Sequence, residues 1–160
     1  AGREPPCFET VATGEVVRAA LEEFRPVAEE KKVTLRLEPL PDLYADRGLL
    51  EQIFRRLLSN AITFLSAHRP GEITVGGEIR DREAVCWVKD NGLGIKPQDR
   101  QRIFTPFGRV QEIQAPGEGV GLATVRKLVE RQGGRVWVES VHNQGSVFHI
   151  GLPHRLDGRN

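Results

Sequence analysis

Asp90-Asn91-Gly92-Leu93-Gly94-Ile95 follows directly on an apolar run, and Gly117-Glu118-Gly119-Val120-Gly121-Leu122-Ala123 comes about one helix and one loop later. One glycine cluster is weak evidence, because such clusters make ordinary turns as often as ligand sites. Two of them constrain the chain more tightly, since the first opens on a carboxylate and the second runs into a good helix former. Glycine lets the main chain approach a ligand closely, and amides at a helix start attract phosphate. The pair predicts a nucleotide-holding domain.

The surrounding pattern predicts which elements carry these segments. Val16, Val17, Ala20, Leu21, Phe24, Val27 and Ala28 recur at helical spacing from Thr13 to about residue 32, with Pro26 expected to bend that helix or loosen its first hydrogen bonds. Val33, Leu35 and Leu37 alternate as in a half-buried strand, which Pro39 and Pro41 end. Asp46 suits the N-cap of a second helix running to about residue 67, its apolar face formed by Leu49, Leu50, Ile53, Phe54, Leu57, Leu58, Ala61, Ile62 and Leu65. Strands are expected at 72–79 and 84–89, a short helix at 97–103, a third long helix from about 120 to 132, and closing strands at 135–140 and 146–152. Helices and strands thus alternate with several antiparallel hairpins. The predicted class is α+β, a two-layer α/β sandwich with three helices on one face of a mixed, mostly antiparallel sheet.

A chain of 160 residues fits one domain with a real core. Residues 1–12, with Pro5-Pro6, read as a lead-in or linker, 13–153 as the folded domain and 154–160 as a tail. The net charge of +1 gives no electrostatic reason to propose nucleic acid or a membrane surface. No apolar stretch approaches membrane-spanning length and no signal peptide is visible, so a cytoplasmic location is expected. The lack of methionine suggests a processed or excised fragment. Cys7 and Cys86 lie in no metal-ligand spacing, and Cys86 reads as a buried small hydrophobe.

Three further features bear on chemistry. Asn60, in the middle of the second helix, is a poor helix former that gains nothing from packing beside Ala61 and Ile62. The bland reading is a solvated residue at the edge of the apolar face; the sharper one is a neutral oxygen ligand for a magnesium ion that also binds phosphates. Asp90 is either an Asx-turn residue or a carboxylate that accepts a hydrogen bond from the amino group of adenine. Phe104 and Phe107 are more often core residues than ligand contacts, although their place between the glycine segments suits a hinged cover.

Taken together, Asn60, Asp90 to Gly94, Phe104 to Phe107 and Gly117 to Gly121, in that order, resemble the asparagine, first glycine, phenylalanine and second glycine boxes of the catalytic, ATP-binding domain of sensor histidine kinases. The closing Gly133-Gly134-Arg135-Val136-Trp137-Val138-Glu139-Ser140 and Gly145-Ser146-Val147-Phe148 are typical too, and Phe107-Gly108-Arg109-Val110 is similar to kinases of the phytochrome-linked type. The resemblance spans about 8–153 and implies the Bergerat-type ATP-binding fold, shared with the ninety-kilodalton heat-shock chaperone and type II topoisomerases. It implies ATP and magnesium as cofactors, with Asn60 on the metal and Asp90 on adenine. Gly92 and Gly94 would shape the adenine pocket, and Phe64 would pack near the base. Gly117, Gly119 and Gly121, running into Leu122, would form the phosphate-facing loop, Arg109 would reach the phosphates, and 109–117 would be a lid. Implied partners are an upstream helical dimerisation domain bearing the phosphoacceptor histidine, a response regulator, and a second copy of the parent protein.

Three positions depart from that pattern. Arg56 stands where a second asparagine is usual, Thr63 where a lysine is frequent, and Glu118 where a small polar residue is expected beside the triphosphate. None of His68, His142, His149 or His154 begins a helical His-Glu or His-Asp motif, so the fragment is expected to bind nucleotide as part of a protein-histidine kinase without phosphorylating itself. The departures also motivate an alternative, a nucleotide-binding regulatory module of a sensor acting mainly as a response-regulator phosphatase. An ATP-driven clamp of the chaperone or topoisomerase kind is disfavoured, since it needs a general-base glutamate where Arg56 stands.

Overall fold

The computed structural model describes residues 4–105 and 118–154, with backbone alone for 118–120. The expected architecture is present. Helices α1 (Thr13–Lys31), α2 (Arg47–Thr63) and α3 (Glu118–Glu130) pack on one face of a five-stranded sheet. That sheet is built from β2 (Thr34–Leu37), β4 (Glu72–Arg80), β5 (Glu83–Asp90), β6 (Arg135–Val141) and β7 (Gly145–Pro153). Its order is β2-β4-β5-β7-β6, parallel only between β2 and β4. Two 3-10 turns, Pro97–Asp99 and Arg102–Phe104, occupy the place of the expected short helix.

Alternation divides the sheet into two faces. Ile73 and Val75, then Ala84, Cys86 and Val88, then Phe148, Ile150 and Leu152 point into the helical layer, where they meet Leu50, Ile53, Phe54, Leu57, Val125 and Val129. Cys86 is a free cysteine whose burial pushes its thiol up to about 12, and Cys7 is free and exposed. On the opposite face Trp87, His149 and Trp137 are register partners across β5, β7 and β6. The Arg80 guanidinium lies 5.6 Å from the Trp87 ring centre and that of Arg135 3.9 Å from Trp137.

The structure departs from the sequence reading in places. Residues 9–11 form a strand, β1, paired antiparallel with β3 (Leu43–Ala45), and Val11 is 1% exposed. Helix α1 runs through Pro26 as one span; that residue sits on the exposed side, away from the core packing. Helix α2 stops at Thr63 rather than near 67, because the chain after it is taken up by the first glycine turn.

Asp46 ties several of these elements together. Its Oδ1 accepts the Leu49 amide at 3.0 Å, capping α2 as its sequence position predicts. Its Oδ2 accepts the Cys7 amide at 2.8 Å, and its own amide donates to the buried Gln132 side chain just beyond α3.

Candidate functional site

Asn60 lies in the last turn of α2 and is 7% exposed. A nearly buried side-chain amide at the end of a helix can serve as an oxygen ligand for a cation held among phosphates. Arg56, Asn60 and Thr63 follow one stripe of the helix by their spacing. Arg56 and Thr63 are exposed.

The end of this helix is docked on the first glycine turn. Phe64 caps α2, its amide donating to the Asn60 carbonyl, and its own carbonyl accepts the Leu93 amide at 2.9 Å. A side chain on Gly92 would run into that same Phe64 carbonyl, and one on Gly94 into the backbone of Val141. Gly94 also has φ +70, a conformation glycine adopts without strain. These two glycines are therefore required by the close approach of three backbone segments, whatever they do for a ligand.

Asp90 ends β5 at the centre of this junction and is 8% exposed. Its Oδ1 accepts the Gly92 amide at 2.8 Å, so the Asx turn is real. Burial nonetheless raises its pKa to about 6, against the lowering effect of hydrogen bonds from the Gly92 and Ser146 amides. A carboxylate has about four lone-pair sites, so two donors leave it able to accept another hydrogen bond. A nearly buried carboxylate with spare acceptor capacity at a strand end can take a hydrogen bond from a ligand's donor.

Beneath the turn, the β6–β7 hairpin supplies a floor. The Ile95 amide donates to Ser140 Oγ at 2.7 Å, and Ser140 and Ser146 share a buried hydroxyl contact of 2.8 Å. Arg100 donates to the Ser140 carbonyl, which fixes the start of the 3-10 segment. Phe104, at the end of that segment, is half-buried and meets Phe148 edge-on with ring centres 6.1 Å apart. The core-residue reading of Phe104 thus describes its visible contact.

The second glycine segment differs from a plain loop. Helix α3 begins at Glu118, so Gly119 and Gly121 lie in its opening turns, and Leu122 is buried. Among the described residues a side chain on Gly121 would meet nothing within 4 Å, so their packing does not demand glycine there. Phe107, Arg109, Gly117 and the whole of the expected lid, 109–117, fall outside the described residues. Among the described residues there is no group of three or more His, Cys, Asp or Glu side chains able to hold a metal by themselves. The side-chain oxygen of Asn60 could serve as one ligand of a cation brought in with a nucleotide.

Sequence reasoning missed Arg69, which donates to three carbonyls of this junction, and the Ser140–Ser146 pair. Both need the strand register to be seen. Asn91 was also passed over; its side chain bonds the Glu72 amide and the Pro70 carbonyl.

Comparison with known proteins gives the family and the fold. Residues 45–156 match the family described as histidine kinase-, DNA gyrase B- and HSP90-like ATPase. The chain is 35% identical over 147 residues to cyanobacterial phytochrome A of Nostoc sp., covering 91% of this chain and 19% of that protein. It is also 35% identical over 148 residues to the adaptive-response sensory kinase SasA of Synechocystis sp., covering 89% and 38% respectively. It therefore spans well under half the length of these curated relatives. Among solved structures, full-length ShkA in complex with AMPPNP superimposes with a TM-score of 0.82 at 30% identity, over 96% of this chain and 32% of that one. The catalytic domain of the histidine kinase ThkA, in a nucleotide-free form, gives 0.80 at 25% identity, over 96% and 99%. No helix among the described residues is long and apolar enough to cross a membrane. By matched family and fold, the chain belongs to the histidine kinase-, DNA gyrase B- and HSP90-like ATPases, as a catalytic, ATP-binding domain of the histidine-kinase kind.

Proposed function

We propose that this domain holds ATP with magnesium and presents the terminal phosphate to a histidine on a separate helical dimerisation domain of its parent. The observation that carries the reading is the nearly buried Asp90 carboxylate, set on a glycine turn that is bonded to the end of the Asn60 helix. Asp90 would accept the adenine amino group, with Gly92 and Gly94 allowing the base against the backbone and Phe64 beside it. Asn60 would give its side-chain oxygen to magnesium, and the opening turns of α3, with Gly119 and Gly121, would face the phosphates. Phe104 and Leu122 would lie beside the nucleotide, and Phe107, Arg109 and Gly117, outside the described residues, are proposed with them from the sequence pattern alone. Magnesium supplies charge neutralisation of the triphosphate. The protein's share of phosphoryl transfer is mostly positioning, since little covalent work is left to it. The bound AMPPNP of the ShkA structure supports the reading by likeness. A response regulator and a homodimeric, cytoplasmic parent complete it.

Calorimetry with ATP, GTP and magnesium on wild type, Asp90→Asn and Asn60→Ala tests this. Binding selective for ATP and lost in Asp90→Asn is the expected result; no binding by wild type overturns it. A second reading rests on Arg56 and Thr63, exposed on the Asn60 stripe where the family pattern has other residues. There the nucleotide biases the conformation of a parent that acts mainly as a response-regulator phosphatase. Phosphate transfer to a purified helical dimerisation domain separates the two.

A further inference from the structure

Arg69 lies in the connection between α2 and β4, outside every motif that marks the nucleotide site. Its Nε donates to the Asn91 carbonyl at 2.7 Å. Its Nη2 donates to the Gly92 carbonyl and to the Asn143 carbonyl, each also at 2.7 Å. Three backbone oxygens from two distant turns thus converge on one guanidinium, whose planar fork of five donors is suited to bridging them. The turns touch each other as well, since the Asn143 amide donates to the Leu93 carbonyl at 2.6 Å.

The grip on the first turn has a directional consequence. A trans peptide is planar, so its carbonyl and its N–H point in opposite directions. No peptide bond among the described residues is cis. Holding the Asn91 carbonyl therefore aims the Gly92 amide the other way, where it donates to Asp90 Oδ1 at 2.8 Å. Holding the Gly92 carbonyl likewise aims the Leu93 amide at the carbonyl of Phe64, on the end of the Asn60 helix. One side chain sets both peptide planes, and those planes orient the two parts of the candidate site.

We infer that Arg69 is a positioning residue for nucleotide binding, locking the first glycine turn so that Asp90 and the Asn60 helix are held in a binding-ready arrangement. This rests on the nucleotide reading above. The role is not one of bulk or charge alone. A methionine keeps most of the length and loses every donor, while a lysine keeps the charge but offers a single nitrogen in place of the fork.

The test combines calorimetry with ATP-magnesium and amide hydrogen exchange of the nucleotide-free protein, on wild type, Arg69→Met and Arg69→Lys. Arg69→Met is expected to lower ATP affinity by about tenfold, and to speed exchange at the Gly92 and Leu93 amides by at least about tenfold, from loss of charge-assisted hydrogen bonds. Exchange at Val75 and Val88, in the sheet interior, should be unchanged, and Arg69→Lys should recover only part of the affinity. Wild-type affinity in Arg69→Met overturns the inference, as does faster exchange spread evenly over the sheet, which would make Arg69 a general brace. Wild type that fails to bind ATP sinks the nucleotide reading instead. The exchange pattern still decides whether the latch on the turn exists.

Discussion

The amide of Gly92 donates to the carboxylate of Asp90, two residues earlier in the chain, at 2.8 Å. The bond is local, yet what surrounds it is not, since Asp90 also faces the Ser146 amide and sits one short turn from the end of α2. Burial raises the Asp90 pKa to about 6 from an ordinary 3.8. Between those values the folded chain holds a proton that the unfolded chain has released. Stability from this group is therefore greatest at low pH and falls as pH rises through 6. Asp90→Asn is expected to make the nucleotide-free protein more stable at pH 7 by about 1–3 kcal/mol. The same variant should lose ATP binding. Urea unfolding and calorimetry on one preparation check the opposed effects, and a destabilised variant would contradict them.

ATP affinity should have its own pH dependence. If the ionised carboxylate accepts the adenine amino group, binding weakens as pH falls below about 6, by up to tenfold per unit. Titrations from pH 5 to 8 measure this, and a flat profile in wild type would remove Asp90 from base recognition.

Gly121 separates packing from ligand demands. Among the described residues nothing lies within 4 Å of the position where its side chain would be, within a helix. Gly121→Ala is expected to stabilise the free protein by about 0.5–1 kcal/mol, because alanine loses less backbone freedom. If phosphates approach the opening turns of α3, the same change lowers ATP affinity several-fold. A rise in Tm with unchanged affinity would place the phosphates elsewhere.

On the other face of the sheet, His149 is 4% exposed and lies parallel to Trp137 with ring centres 4.8 Å apart. Its Nε2 is 2.7 Å from Glu139, and its Nδ1 is buried with no hydrogen-bond partner among the described residues. Burial lowers its pKa despite Glu139, with Arg80 and Arg135 also opposing the charge. The unfolded chain then takes up the proton first, so this group's contribution is present above the ordinary histidine range and fades on acidification. His149→Phe keeps an aromatic ring on Trp137 and removes the orphaned nitrogen. It should leave stability at pH 7 within about 1 kcal/mol of wild type and flatten the acid side of the stability profile. Urea midpoints between pH 5 and 7.5 decide it.

Long elements were legible because their periodicity is long. The α2 face from Leu49 to Ile62 and the alternation along β4, β5 and β7 define layers before any coordinate is known. Three-residue strands carry no period, so β1 and β3 went unseen, and the parallel pairing of β2 with β4 has no local signal. The end of α2 was misplaced because Leu65 continues the apolar pattern, while Phe64 is claimed by Leu93 from outside the helix. Asp90 and Asn60 stood out as polar residues in apolar settings, and both are buried. Arg69 gave no such sign. An arginine in a polar connection looks like any solvated cation until three carbonyls are found around it.

Helix α2 is pinned at both tips, by the Leu49 and Cys7 amides on Asp46 at one and by Leu93 on Phe64 at the other. A rod fastened so cannot slide or roll without undoing several bonds together. If Asn60 ligates the ion as proposed, its side chain already stands at a fixed height, and little ordering entropy is left to be lost on binding.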